Sequence, residues 1–386
     1  MEYFFTEEQQ EIQNLARRIA ESEVRPVAAA LDEEEEFPRR ILEHLAKSGL
    51  LGVYLAEEYG GFGGGMTELS IVTEELSKAC LGVSTSYAAN ALGAFPLLFS
   101  GTEEQKKRYL PPIAAGEHLT AFCLTEAEAG SDAMAIRTTA ARDGDEWVLN
   151  GCKQWITNSG EADLYTVIAV TDKTRGARGI SALLVEAESP GLSFGAKEKK
   201  LGIRCSSTRE VIFEDCRIPA ENILGRPGTG LLTTVRTLDR ARVGVGAQAV
   251  GLAQGALDHA VGYARTRRQF GQPIAAFQAV QHMLADMAIE TEAARALVYI
   301  TCLNIDRGVR SFAKEAAMSK CFASDVAMRA AINAVQVFGG YGFMREYPVE
   351  KLMRDAKILQ IYEGTNEIQR NTIALALIKE AARHEG

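Results

Sequence analysis

The sequence has no CxxC pair and no His/Cys cluster at metal-ligand spacing. Its seven cysteines, Cys80, Cys123, Cys152, Cys205, Cys216, Cys302 and Cys321, are scattered over 386 residues. No metal site is expected, and the plain reading is free thiols in a reducing compartment. No stretch holds 18 uninterrupted apolar residues, so no membrane-spanning helix is expected. Positive charge is not in excess either: 42 Lys and Arg stand against 51 Asp and Glu, a net charge of −9. That balance argues against non-specific binding to nucleic acid or to an anionic membrane. An anionic ligand has to be met by local arginines. The opening run Met1-Glu2-Tyr3-Phe4-Phe5-Thr6-Glu7-Glu8 lacks the basic and apolar regions of a signal peptide and is too acidic for a transit peptide. The expected location is cytoplasmic for a bacterial-type soluble chain, or the mitochondrial matrix for a processed one.

What is present is ordinary globular material, 47% hydrophobic and 24% charged, in a chain long enough for two or three domains. Residues 1–118 read as helices. Thr6-Glu7-Glu8-Gln9 is a capping box followed by Ile12, Leu15, Ala16 and Ile19 at helical spacing. Leu69, Val72, Leu76 and Ala79 mark another helix, expected to stop near Gly82. Asp32 to Glu36 reads as a solvated acidic stretch. Gly60 to Gly65 lacks the spacing and the Lys-Ser/Thr of a phosphate loop, and reads as a flexible turn. Residues 119–227 change period. Leu164–Val170, Ile180–Val185 and Val211–Phe213 are β-rich, Asp143-Gly144-Asp145 signals a hairpin, and Asn150-Gly151 a further turn. Such strands without helices between them predict a small barrel or sandwich. Residues 228–386 return to long helices, with Val280, Leu284, Met287, Ala294, Leu297, Thr301 and Ile305 on one stripe, which predicts an antiparallel bundle. Helix–strand–helix segregation makes the chain α+β.

Several motifs admit a functional and a plain reading. Gly244-Val245-Gly246-Ala247-Gln248-Ala249 fits GxGxxA. That fingerprint needs a strand before it, whereas Leu231–Val243 already reads as helix, so close helix packing is favoured over a nicotinamide site. Phe122 to Asp132 starts as a strand and ends in a small-residue turn; its N–H groups and hydroxyls can meet a phosphate or a ring edge, or simply end the strand. Trp155, one of only two tryptophans, is core or a wall for a planar group. Asp239 and Arg242 are a local ion pair or a ligand contact. Arg267 to Gly271 and Gln336 to Gly342 close helices with basic residues and glycines. Glu363 sits just ahead of a helix that Thr365 caps, a place that acidic residues favour for the dipole alone.

Together and in this order, these segments resemble the acyl-CoA dehydrogenase family, nearest its short-chain and butyryl-type members. The resemblance spans nearly the whole chain; to the segments above it adds Tyr347-Pro348 through Arg354-Asp355-Ala356 and Ile361 through Arg370. It implies an N-terminal helical domain, a middle β domain and a C-terminal four-helix bundle, in a homotetramer with one non-covalent FAD per subunit. It implies that Phe122, Leu124, Thr125, Gly130 and Ser131 line the flavin, with Ser131 also near CoA. Trp155, Ile156 and Thr157 lie against the isoalloxazine. Arg267, Gln269, Phe270 and Gln278 belong with Gln336, Val337, Gly339 and Gly340 of a partner subunit at the pyrophosphate and adenine end. Thr365 and Glu367 also touch FAD. Asp239 and Arg242 match the CoA-contacting helix, and Tyr362 and Gly364 flank the substrate. Glu128 and Gln269 depart mildly from the pattern, without removing a needed donor.

The implied chemistry is α,β-dehydrogenation of an acyl-CoA thioester. Glu363 takes the α-proton, the β-hydrogen leaves as hydride to flavin N5, and trans-2-enoyl-CoA forms. A carboxylate is normally too weak a base for this. Desolvation raises its pKa, and hydrogen bonds to the thioester oxygen from the Glu363 N–H and a ribityl hydroxyl stabilise the enolate. Some relatives place the base where this chain has Ala241, which points back to Glu363. Glutaryl-type relatives carry a cation on the segment that here runs from Leu81 to Thr102 without Lys, Arg or His, so the expected acyl group is short, branched or cyclic and uncharged. The expected electron acceptor is an electron-transferring flavoprotein docking near Trp155, rather than oxygen. A nicotinamide enzyme and a non-catalytic acyl-CoA-binding paralogue are the alternatives.

Overall fold

The computed structural model describes residues 5–384; of the opening run, Met1 to Phe4 lie outside the described residues. Six helices come first: α1 (Glu7–Ile19), α2 (Ala28–Glu34), α3 (Arg39–Lys47), α4 (Met66–Ala79), α5 (Leu81–Ser100) and α6 (Glu103–Ala114). α1 begins on the expected capping box: Thr6 Oγ1 accepts from the Gln9 N–H, and the Gln9 side chain accepts from the Thr6 N–H. α4 stops at Ala79 rather than near Gly82, because α5 starts immediately and takes Gly82 into its first turn. Both helices are buried along most of their length.

Two expectations for this region need correction. Gly60 to Gly65 is a turn but not a loose one. The N–H groups of Gly61, Phe62, Gly63 and Gly64 donate to the carbonyls of Ala56, Gly52, Leu55 and Val53. The acidic run is only partly solvated, since Asp32 is 3% exposed and pairs with Arg354 at 2.7 Å.

The middle region is one eight-stranded sheet: β1 (Thr120–Cys123), β2 (Thr139–Asp143), β3 (Glu146–Thr157), β4 (Leu164–Val170), β5 (Ile180–Glu186), β6 (Leu192–Phe194), β7 (Thr208–Pro219) and β8 (Ile223–Leu224). The order is β6-β7-β3-β2-β4-β5-β8, with β1 parallel to β4. A single parallel pair, Thr139–Val170, joins β2 to β4. Tyr165 on β4 and Phe194 on β6 meet at 5.4 Å between ring centroids, so the sheet folds back on itself. The expected hairpin closes β2 onto β3 over Gly144-Asp145. Asn150-Gly151 makes no second turn. β3 continues through it, and its register against β7 shifts between Leu149 and Gly151. Gly151 has φ 145°, and a Cβ there would stand 2.6 Å from Thr138 Oγ1. The glycine serves a bulge, which the same Asn-Gly signal permits.

The last region holds α7 (Gly230–Thr266), α8 (Gln278–Asp306), α9 (Ala313–Phe338), α10 (Pro348–Leu359) and α11 (Asn366–His384). A small hairpin, β9 (Arg268–Gln269) and β10 (Gln272–Pro273), links α7 to α8. α7, α8, α9 and α11 are the long helices of the bundle, and α9 packs on all the others. The stripe on α8 is buried at Met287, Ala294, Thr301 and Ile305 and half-buried at Val280, Leu284 and Leu297. Gly244 to Ala249 lies inside α7, buried where that helix meets α4 and α9. The residues directly ahead of it, from Gly230, are helix and not strand, which removes the nicotinamide reading. Among the described residues, no helix is long and apolar enough to cross a membrane.

Candidate active site

Glu363 occupies the elbow between α10 and α11. Its φ is 56°, a left-handed conformation that a residue with a Cβ adopts only when its surroundings hold it there. They do so from several sides. Gln369 Nε2 donates to the carbonyls of Glu363 (3.1 Å) and Gly364 (2.9 Å). Lys320 Nζ, on α9, donates to the Gly364 carbonyl and to Asn366 Oδ1, each at 2.8 Å. Arg242 Nε, on α7, reaches the Glu363 carbonyl at 3.5 Å. Thr365 Oγ1 accepts from the Ile368 N–H at 3.3 Å, the expected cap of α11.

The Glu363 side chain is nevertheless left without a partner. Its Oε2 is closed off from solvent and has no hydrogen bond. Burial raises its pKa to about 7, against the opposing pull of the Arg242 and Lys320 charges. Among the described residues the Glu363 N–H has no acceptor either.

Thr157 and Glu363, far apart in sequence, line one cavity of about 50 Å³. Met66 and Leu69 of α4, Leu92 and Phe95 of α5 and Val245 of α7 give it apolar walls. Ala241, the alternative base position, lines the same cavity with a methyl group. Tyr362 lines it too, and its hydroxyl donates to Gln248 Oε1.

On the β region, Phe122 and Leu124 are buried, Thr125 is half-buried, and Gly130 and Ser131 are exposed. The turn between them is held by paired backbone bonds between Glu126 and Ala129 and by an ion pair beneath it. Lys153 Nζ, fully buried on β3, donates to the Leu124 carbonyl at 2.9 Å and to Glu126 Oε1 at 2.7 Å. Burial alone would raise the Glu126 pKa. Lys153 and the N–H groups of Arg137 and Thr138 outweigh it and hold the carboxyl below its usual value. Glu128, which departs from the expected pattern, makes a surface pair with Arg137 at 2.7 Å. Trp155 is not core. It sits at φ 57° in a bulge of β3 against β7 and is 56% exposed, while Ile156 beside it is buried.

A second hollow, of about 480 Å³, collects Arg267, Gln269, Val337, Gly339 and Gly340, with Tyr263 and Tyr341 as aromatic walls. Arg267 Cζ lies 5.2 Å from the Tyr341 ring centroid. The resemblance assigns Gln336 to Gly340 to the cofactor of a partner subunit; within this chain Val337, Gly339 and Gly340 stand beside Arg267. Gln278, Gln336, Glu367 and Phe270 are exposed and line neither space; Phe270, at the β9–β10 turn, is 92% exposed with φ 50°. Asp239 and Arg242 pair at 2.8 Å on α7, both largely buried.

These features fit a large planar group bearing phosphates. A bulged tryptophan is offered to solvent, and an arginine borders the larger hollow. Positions of a Cβ at Gly130, Gly339 and Gly340 have no atom within 4 Å, so backbone there is open to close approach. Three domain families match the chain: the acyl-CoA dehydrogenase N-terminal domain over residues 6–117, the middle domain over 121–216 and the C-terminal domain over 228–378. The chain belongs to the acyl-CoA dehydrogenase family. As a member it is an FAD-dependent oxidoreductase.

Its relatives agree. The probable acyl-CoA dehydrogenase FadE25 of Mycobacterium tuberculosis is 50% identical over 97% of this chain and 96% of its own. Butyryl-CoA dehydrogenase from Megasphaera elsdenii superposes with a TM-score of 0.95 at 44% identity, covering 97% of this chain and 99% of that one. A chain from a study of the electron-transferring flavoprotein of Acidaminococcus fermentans and flavin-based electron bifurcation gives 0.96 at 47% identity, covering 98% and 99%. An acyl-CoA dehydrogenase complexed with FAD from Bacillus anthracis gives 0.93 at 38% identity, covering 99% of this chain and 68% of that one.

Sequence reasoning missed several residues of this acyl-CoA dehydrogenase site. Lys320, Gln369 and Lys153 hold the backbone of the Glu363 elbow and of the 124–131 turn, and no local pattern distinguishes them from ordinary helix or strand positions. The expectation of no cation along the cavity covered Leu81 to Thr102. That segment indeed brings none, but Arg240 arrives from α7.

Proposed function

We propose that this acyl-CoA dehydrogenase oxidises a short, branched or cyclic uncharged acyl-CoA to its trans-2-enoyl thioester, with Glu363 as the base. The carrying observation is the cavity shared by Thr157 and the unpartnered Glu363 carboxyl. A pKa of about 7 leaves much of the group ionised at neutral pH while making it a stronger base than an ordinary carboxylate. Glu363 accepts the α-proton. Its N–H points to the role of donor for the thioester oxygen, where negative charge develops. The apolar walls exclude water from the carboxylate. The cavity is narrow, about 50 Å³, and mostly apolar in lining, which supports a short uncharged tail. The butyryl-CoA dehydrogenase of Megasphaera elsdenii supports the same reading.

FAD, when bound, supplies the acceptor for the β-hydrogen. Trp155, Thr157 and the Leu124–Ser131 turn are the residues to hold its ring, with Thr365 at the elbow. Arg267 and the 336–340 segment are those to hold its phosphates and adenine end, since a planar guanidinium pairs phosphate oxygens. Ser131, Asp239 and Arg242 are the candidates for CoA. The proposed electron acceptor is an electron-transferring flavoprotein docking on the exposed Trp155 edge, a reading the Acidaminococcus fermentans work supports. A homotetramer is proposed on the apolar side chains exposed on α8 and α11, among them Ile289, Ile300, Leu375 and Ile378. Units 1–118, 119–227 and 228–386 are the proposed domains.

Anaerobic titration of the FAD-loaded protein with butyryl-CoA tests the reading. The flavin's visible absorbance bleaches without NAD. Absence of bleaching with every thioester from butyryl- to dodecanoyl-CoA, branched and cyclic ones included, contradicts it and marks a non-catalytic acyl-CoA-binding paralogue.

A further inference from the structure

We propose that the closed end of the acyl cavity is built for a tail that carries a hydroxyl, with Gln248 as its donor; the inference rests on the dehydrogenase reading above and narrows its substrate class. Ala241, Val245 and Gln248 follow one another along the face of α7 that lines the cavity. Ala241 stands beside Arg242, which reaches the Glu363 carbonyl, so that end belongs to the thioester and CoA. Gln248 lies two turns further along the helix, about 10 Å at 1.5 Å per residue. Three other polar lining residues gather around it. Tyr362 donates to Gln248 Oε1 and lies against Thr85 of α5. Ser84 Oγ, next to Thr85, donates at 3.0 Å to the carbonyl of Thr73 on α4, and Thr73 lines the cavity too. Gln248, Thr73 and Thr85 are 2%, 0% and 3% exposed, so this end is closed to solvent.

The Gln248 amide nitrogen is the unsatisfied group of this cluster. Its Oε1 accepts from the Tyr362 hydroxyl, while Nε2 makes no hydrogen bond among the described residues. The two threonine hydroxyls have their protons engaged on their own helices. Thr73 Oγ1 donates to the Leu69 carbonyl at 2.7 Å and Thr85 Oγ1 to the Leu81 carbonyl at 2.8 Å. What they offer the cavity is lone pairs. A hydroxyl accepts from Gln248 Nε2 and donates to a threonine oxygen, which satisfies both sides at once. A methyl in the same place leaves the amide N–H groups buried without an acceptor. None of the four side chains is a cation to pair a carboxylate, so the matching tail is neutral. Leu69, Val245, Leu92 and Phe95 give the cavity hydrocarbon walls elsewhere, which confines the preference to the end of the tail.

The test measures kcat/KM of the FAD-loaded protein on 4-hydroxybutyryl-, 5-hydroxypentanoyl- and 6-hydroxyhexanoyl-CoA. Each is paired with the thioester that has a methyl in place of the hydroxyl: pentanoyl-, hexanoyl- and heptanoyl-CoA. The hydroxyacyl member is expected to be preferred at the length that reaches Gln248. Gln248→Met keeps the volume and lacks the donor, and is expected to lower that ratio by about tenfold or more, since a site built to bond a hydroxyl discriminates against the analogue without it. FAD content and melting temperature are recorded for both proteins. If Gln248→Met does not fold, Thr73→Val takes its place with the same expected fall. A purely structural role for Gln248 lowers both members of a pair alike, so an unchanged ratio in the folded, FAD-containing variant overturns the inference. A wild type with no preference for the hydroxyl at any length overturns it as well. A wild type inert to every acyl-CoA, butyryl-CoA included, sinks the dehydrogenase reading itself; one active on butyryl-CoA but indifferent to the hydroxyl sinks only the role of Gln248.

Discussion

Lys320 and Glu363 are tied through one carbonyl. The fully buried Lys320 ammonium donates at 2.8 Å to the C=O of Gly364, the residue next to Glu363. Burial lowers the Lys320 pKa to about 8, and Glu363 is among the charges opposing that fall. Burial raises Glu363 to about 7, and Lys320 and Arg242 oppose that rise. Each charge therefore restrains the other. Replacing Lys320 with Met is expected to push the Glu363 pKa above about 7. The acid limb of the pH profile for substrate bleaching, followed by rapid mixing, moves to higher pH. A folded, FAD-containing variant with an unshifted limb contradicts the coupling.

The same burial makes Glu363 costly to fold around at neutral pH. Its native pKa of about 7 lies above the ordinary 4.5, so the native state binds this proton more tightly than the unfolded chain. The resulting stability is fully present below about pH 4.5 and is lost as pH rises through about 7. Glu363→Gln, which cannot ionise, is expected to stabilise the protein by about 1–3 kcal/mol at pH 8 and by little at pH 4. Denaturant melts of both proteins at the two pH values decide this; equal shifts at both point to packing instead of ionisation.

Arg267 borders the larger hollow with Gly339 and Gly340. If it pairs the cofactor's phosphates, Arg267→Ala loses a charge-assisted contact of about 1.5–3 kcal/mol, which is about ten- to hundredfold weaker FAD retention. Equilibrium dialysis of the apoprotein with FAD reads the change, and undiminished affinity removes the phosphate role.

Lys153 supports the 124–131 turn from below, through the Leu124 carbonyl and the Glu126 carboxylate. Lys153→Met leaves that carboxylate largely buried without its cation. The expected loss is about 3–5 kcal/mol of stability, with weaker flavin binding at the turn. A urea melt that moves by less than about 1 kcal/mol would show the pair to be near break-even.

Local signals were legible and distant ones were not. The Thr6–Gln9 capping box, the Gly144-Asp145 hairpin and the helical setting of Gly244 to Ala249 involve residues within a turn or two of each other. Asn150-Gly151 misled because the conformations that suit a two-residue turn also suit a bulge. Asp32 misled because Arg354 is 322 positions away; nothing near Asp32 marks it as different from the solvated Glu33 and Glu34. Arg240, Lys153 and Lys320 escaped for the same reason, since their partners come from distant elements: Phe99 of α5, the 124–131 turn and the elbow at Gly364. Trp155 was ambiguous because strand position alone does not say which face a bulge turns outward. Glu363 stood out only through the motif that surrounds it, and its environment, a strained elbow with an unpaired oxygen, became visible once the chain was folded.

Rapid mixing of FAD-loaded Glu363→Gln with butyryl-CoA under anaerobic conditions bears most directly on the central claim. The variant should bind both FAD and the thioester, with bleaching slowed by about two to four orders of magnitude relative to wild type, the scale lost with a required acid–base group. Bleaching at a near-normal rate would place the base on another residue.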